Sequence, residues 1–187
     1  MPRILLIGGL LALSLACTAA PVADGERVDI DFRRTTLIVR DIDASLAFYR
    51  DALGMKVIYD NKIRTPRDAA SDDEADRASR LVFLRANDDY VGIVGLLQYL
   101  KPRRQAANQG DEPFTPGSSV LLFNAADLSE TFEKARKVLG TRVLFEPTRR
   151  EYPSYDGEGT IPVMVSVITD PDGFVVELNQ LLVDKLQ

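Results

Sequence analysis

One order of elements is written twice in this chain: a β-branched run, an amphipathic stretch closed by Leu-Gly, then three more β-type runs. In the first copy Thr35, Thr36, Leu37, Ile38 and Val39 predict a strand, and Asp41 or Asp43 is placed to cap a helix. Ala44, Leu46, Ala47, Phe48, Ala52 and Leu53 fall at helical spacing, and Gly54 closes the stretch as a C-cap. Strands are expected over 55–59, 80–85 and 90–97. The second copy begins with a strand at 120–123. A helix over 128–139 follows, opened by Asp127 and Glu130 at capping-box spacing and closed by Gly140. Strands over 142–145, 163–168 and 174–178 complete it, the last two joined by the turn Asp170-Pro171-Asp172-Gly173. The period is about 85 residues. Two units make no solenoid, so the expected fold is α+β, two pseudosymmetric βαβββ modules facing each other.

The modules span 30–100 and 118–182, joined by a polar linker, 101–117, with three prolines. Inside module one, 65–79 reads as an acidic insertion forming a short exposed helix or a mobile loop. At 187 residues and 45% hydrophobic, the chain is long enough for one sizeable core. A net charge of -5, with basic residues scattered among acids, argues against nucleic acid as a partner. There is one cysteine and no histidine. An intrachain disulfide is excluded, as are the commonest transition-metal ligand and the usual neutral-pH proton shuttle.

The first residues read as an export signal over 1–16: Arg3, then an apolar run from Ile4 to Leu13, too short to span a bilayer comfortably. Leu13-Ser14-Leu15-Ala16-Cys17 resembles a bacterial lipobox, in a permissive form. The alternative is plain cleavage near Ala19 or Ala20. By the lipobox reading Cys17 is lipidated, 17–29 is a tether, and the protein is an outer-membrane lipoprotein on the periplasmic side.

Ser45-Leu46, Phe48-Tyr49 and Leu53-Gly54-Met55, with Asp170-Pro171-Asp172-Gly173-Phe174 and Glu177-Leu178 near the end, resemble the vicinal oxygen chelate superfamily. That family includes glyoxalase I, bleomycin-resistance proteins and extradiol dioxygenases. The resemblance implies that the two modules pair into a curled mixed sheet, the glyoxalase/bleomycin-resistance-like fold. Four side chains in the trough of such sheets hold a divalent metal. The corresponding positions here are Arg34, Gly95, Ser118 and Glu177, so only Glu177 is retained as a ligand. One carboxylate, an arginine, a glycine and a serine do not make a stable metal site. No cofactor is expected. Strand alternation puts Arg34 and Thr36 on one face and Glu177 on the trough face of its own strand. If those faces meet, as the resemblance implies, Arg34 and Glu177 are expected to pair in the metal's place; the alternative leaves both partly exposed and unpaired.

The stretch Arg149–Thr160 lies between two strands of the second module, where the resemblance implies a loop bordering the cavity, with Tyr152 and Tyr155 able to cover a planar or anionic ligand; the alternative is a plain hydrophilic loop whose tyrosines pack on the barrel end. The expected ligand-binding set is Arg34, Thr36, Ser118, Glu177, Tyr152 and Tyr155. The leading expectation is a metal-independent module that binds a small organic ligand, forms a homodimer and reaches the membrane through its lipid anchor. The alternatives are a glyoxalase-like lyase, isomerase or dioxygenase with a weak or relocated metal, and a structural envelope lipoprotein.

Overall fold

A computed structural model describes residues 22–105, 113–155 and 157–182. The expected signal and Cys17 lie outside the described residues. Module one comprises β1 (Arg34–Ile38), α1 (Ile42–Leu46) with a π-helical continuation (Ala47–Ala52), β2 (Lys56–Thr65), β3 (Arg77–Arg85) and β4 (Ile93–Lys101). Module two repeats the order as β5 (Val120–Asn124), α2 (Leu128–Ala135), β6 (Arg142–Pro153), β7 (Thr160–Thr169) and β8 (Val175–Leu181). Each module folds into one four-stranded mixed sheet, ordered β1-β4-β3-β2 and β5-β8-β7-β6. The outer strand enters parallel to the last one, and the remaining pairs are antiparallel.

The helices start alike. Asp41 accepts from the Asp43 and Ala44 amides, and Asp127 accepts from the Glu130 amide, satisfying N–H groups that a first turn leaves unpaired. Behind each cap a glutamine of the parallel strand joins in. Gln98 accepts from the Ile42 amide at 3.2 Å, and Gln180 accepts from the Leu128 amide at 3.0 Å.

The first helix widens after one turn: the Leu53 amide donates to the Phe48 carbonyl and the Met55 amide to the Tyr49 carbonyl. The widening accompanies the full burial of two successive aromatics, Phe48 and Tyr49, whose rings meet edge to face at 5.1 Å. Beyond them Gly54 adopts φ +78°, a conformation costly for any residue with a Cβ.

The modules meet through their helix sides. Leu37, Val82, Leu84 and Leu96 of the first sheet and Ile168, Val176 and Leu178 of the second belong to one buried cluster with Ile42, Phe48, Tyr49, Leu128 and Ala135. Polar contacts cross the same boundary. Arg40 donates from its amide and its Nε to Asp172, and its guanidinium also donates to the Pro171 carbonyl. Tyr49 donates its hydroxyl to Asp170 at 3.0 Å.

Several boundaries differ from expectation because periodicity loses the ends of strands whose two faces are both partly wet. β2 runs on to Thr65 and β3 begins at Arg77, so the acidic insertion is mainly turns between two long strands, with Ala75 buried in it. β6 and β7 extend to Pro153 and from Thr160, so Arg149–Tyr152 is strand and not loop. The second helix stops at Ala135, four residues short of Leu139, which is exposed.

Candidate functional site: two one-sided troughs

Cross-strand register gives each sheet a matching row. In module one it runs Thr36, Gly95, Phe83, Tyr59 across β1, β4, β3 and β2. In module two it runs Leu122, Glu177, Val167, Phe145 across β5, β8, β7 and β6. Gly95 and Glu177 are therefore equivalent, both on the face opposite the helices. That face is the trough of each sheet.

Gly95 leaves a gap that Arg34 fills. A Cβ at Gly95 would stand 2.8 Å from Thr36 Oγ1 and 3.2 Å from Arg34 Cδ. The arginine stem crosses this bare backbone, its Nε donates to Thr36 Oγ1 at 3.1 Å, and its guanidinium lies 4.0 Å above the Phe83 ring. Tyr59 stacks on Phe83 in turn, with centroids 4.9 Å apart and planes at 24°. A guanidinium against an aromatic face gains about 0.5–2 kcal/mol and keeps its outer N–H groups available. Among the described residues no carboxylate lies within ion-pair distance of Arg34.

Glu177 is half-buried in the other trough and accepts from Asn179 Nδ2 at 2.9 Å. The buried Asn179 Oδ1 has no partner. A hollow of about 210 Å³ opens beside Glu177, and Phe145, Arg150, Tyr152 and Val167 help to line it. Every lining residue belongs to module two.

The Arg34–Glu177 pairing is thereby corrected. Because the modules pack helix side to helix side, each trough is turned away from the other, and the two side chains find partners within their own sheets. Ser118 is corrected too. It lies two residues ahead of β5, where its hydroxyl donates to the Thr115 carbonyl at 2.7 Å, and register makes Val120 the counterpart of Arg34. Of the two tyrosines, Tyr152 enters the Glu177 hollow while Tyr155 is 92% exposed at the β6–β7 turn. Phe83 and Tyr59 were missed, although the Phe83–Gly95 alignment was within reach of strand alternation. The Tyr59–Phe83 alignment was not, because the bulge between Val57 and Tyr59 shifts the register of β2 against β3.

The residues present do not fit a divalent metal. Among the described residues no three His, Cys, Asp or Glu side chains gather in one place. Arg34 adds a fixed positive charge, and Glu177 with one amide oxygen falls short of a ligand set, the other carboxylate of its hollow, Glu146, being paired with Arg136.

A buried pair of titratable groups, Asp170 and Tyr49, lies between the modules. Asp170 is fully buried, and desolvation raises its carboxyl to about 6 despite hydrogen bonds from the Phe174 and Asp172 amides and from Tyr49. Burial and the adjoining Asp170 likewise push the Tyr49 phenol well above its ordinary value. Their position in the core, away from both troughs, marks them as structural.

Comparison with known proteins accords with this geometry. Residues 32–178 match the model of the Glyoxalase/Bleomycin resistance protein/Dioxygenase superfamily. No curated protein matches the chain. Among solved structures, a glyoxalase family protein from Bacillus cereus aligns with a TM-score of 0.64 at 14% identity, over 86% of this chain and 100% of that one. The trypanothione-dependent glyoxalase I of Leishmania major aligns at 0.51 and 21% identity, over 81% and 86%. A glyoxalase I variant from Zea mays aligns at 0.52 and 20% identity, over 79% of this chain but only 45% of that one. With the family model covering most of its length and the sheet order to match, the chain belongs to the Glyoxalase/Bleomycin resistance protein/Dioxygenase superfamily.

Proposed function

We propose that this protein is an exported, metal-independent binding module that holds a small organic anion in the trough of its first sheet. The observation that carries the reading is Arg34, laid across Gly95, fixed by Thr36 and Phe83, and without a carboxylate partner among the described residues. A cation held in this way has little side-chain entropy left to lose when an anion arrives. Tyr59 and Phe83 beside it offer a planar ligand an aromatic wall.

The two one-sided troughs fit a homodimer in which each is covered by a second copy. Ile38, Leu122 and Phe145, each more than half exposed, line the trough faces and would then be removed from water. In the same reading Cys17 carries the lipid anchor. Cys17→Ser is expected to move the protein from membrane to soluble extract, and unchanged partition would refute the anchor.

Benzoate, a planar monoanion, tests the site by calorimetry. It is expected to bind the wild type with or without chelator, to weaken tenfold or more in Arg34→Ala, and to recover partly in Arg34→Lys. Loss of binding on chelation, together with a stoichiometric metal in the purified protein, would favour the lyase, isomerase or dioxygenase alternative.

A further inference from the structure

A second concentration of positive charge lies on the same sheet, away from Arg34. Where β2, β3 and β4 end together, Thr65, Arg77, Ser79, Tyr99, Lys101 and Arg104 surround an open cavity of about 430 Å³. By register, Tyr99, Ser79 and Ile63 form the row two steps beyond Leu97, Leu81 and Asn61 and four residues along β3 from Phe83. At about 3.3 Å per residue this places the cavity on the order of 13 Å from the Arg34 stack.

Three cations share this rim in a chain of net charge -5. Among the described residues, no acidic one lines the cavity. Among the described residues, none of the three has a carboxylate within ion-pair distance. The contrast is local. Lys62 and Arg64, on the opposite face of β2, share one carboxylate partner, Asp72, each at 2.7 Å. Asp72 thus serves the far face of the sheet, while the contact the same turn makes with this rim is a neutral carbonyl, that of Asp73.

The rim is also built. Arg104 is stacked 3.9 Å above the Tyr99 ring. Lys101 Nζ donates to the Asp73 carbonyl at 2.5 Å, which fixes the ammonium while leaving its charge uncompensated. The β3–β4 register shifts between Ala78 and Ser79, a bulge that re-aims the side chains at this end of the sheet. Hydroxyls of Ser79 and Thr65 add neutral hydrogen-bonding groups beside the three charges.

We infer that this cavity is a binding site, separate from Arg34, for a compact anion bearing at least two negative charges, as phosphate or carboxylate groups. Two guanidinium forks and an ammonium match such a ligand in charge and geometry, and a single negative charge would leave the rim largely uncompensated.

Inorganic pyrophosphate and citrate serve as probes, with acetate as the monoanion, all at fixed ionic strength so that general screening is constant. Calorimetry is expected to detect pyrophosphate, citrate or both, and their order identifies the preferred group. Acetate is expected to bind at least tenfold more weakly. Arg77→Ala and Arg104→Ala are each expected to weaken binding of the pyrophosphate or citrate probe tenfold or more. Arg34→Ala and the remote Lys137→Ala are expected to leave it unchanged. Circular dichroism verifies that each variant is folded, and Lys101→Met replaces any that is not. Failure of both probes to bind at millimolar concentration would overturn the site. So would binding that survives the rim substitutions, or binding lost in Arg34→Ala.

Discussion

At the scale of the residue, two positions show how surroundings set chemistry. Arg34 is an anchor because Gly95 has no side chain, so the arginine stem can cross the strand beside it. Asp170 titrates abnormally because it is buried, and its pH effect has a definite sign. Its folded-state value of about 6 exceeds the ordinary 3.8, so the folded state holds the proton more tightly. The associated stability is fully present below the ordinary value and is lost as pH rises through 6. Going from pH 7 to pH 5 is therefore expected to stabilise the protein by about 1 kcal/mol, a rise in Tm of about 2–4 °C. Asp51, Asp60, Asp72, Asp88 and Glu151 act oppositely. They are held below their ordinary values by hydrogen bonds from Arg50, Arg80, Lys62, the Val91 amide and Thr160 respectively, and what they contribute is lost only as pH falls below their ordinary values. Thermal melts of Asp170→Asn across pH 5–7 check the assignment. The variant is expected to melt at nearly constant temperature, and a rise equal to the wild type's would place the titrating group elsewhere.

At the scale of the element, the repeat is carried by polar details as much as by apolar ones. Each helix start rests on an aspartate cap and on a glutamine one position beyond the last residue pair of the parallel strands, Asp41 with Gln98 and Asp127 with Gln180. Both glutamines are present in the sequence at corresponding places, yet nothing local marks them, because their partners lie 56 and 52 residues away. A lost part-buried hydrogen bond leaves an amide unpaired, at a cost of about 1–3 kcal/mol. Gln98→Ala and Gln180→Ala are each expected to lower stability by about this amount in chemical denaturation. An effect confined to one of them would break the equivalence of the modules. The caps and the Gly54 end of the first helix were legible because capping chemistry acts within a few residues, whereas the second helix stops at Ala135, short of Leu139-Gly140. The lengths of β2, β6 and β7 were not, because a strand continues for as long as its neighbour supplies hydrogen bonds.

At the scale of the whole molecule, the helix-side core joins the modules and turns both troughs outward. If a second copy covers them, sedimentation is expected to report a dimer at micromolar concentration. Leu122→Asp, placed in the apolar floor of the second trough, is expected to shift it towards monomer with little change in the secondary-structure spectrum. A wild-type monomer at high concentration would remove the dimer reading. By itself the sequence determined the twofold βαβββ order, the helix caps, the Asp170–Gly173 turn and the poverty of metal ligands, since each follows from residue types at short spacing or from composition. Only the tertiary structure decided that Arg34 meets Phe83 and Thr36 while Glu177 meets Asn179, and that Arg77, Lys101 and Arg104 share one rim. The reason is physical: alternation fixes which face of a strand a side chain occupies, but the partner it meets across that face depends on register, bulges and the way two sheets are turned by the core between them.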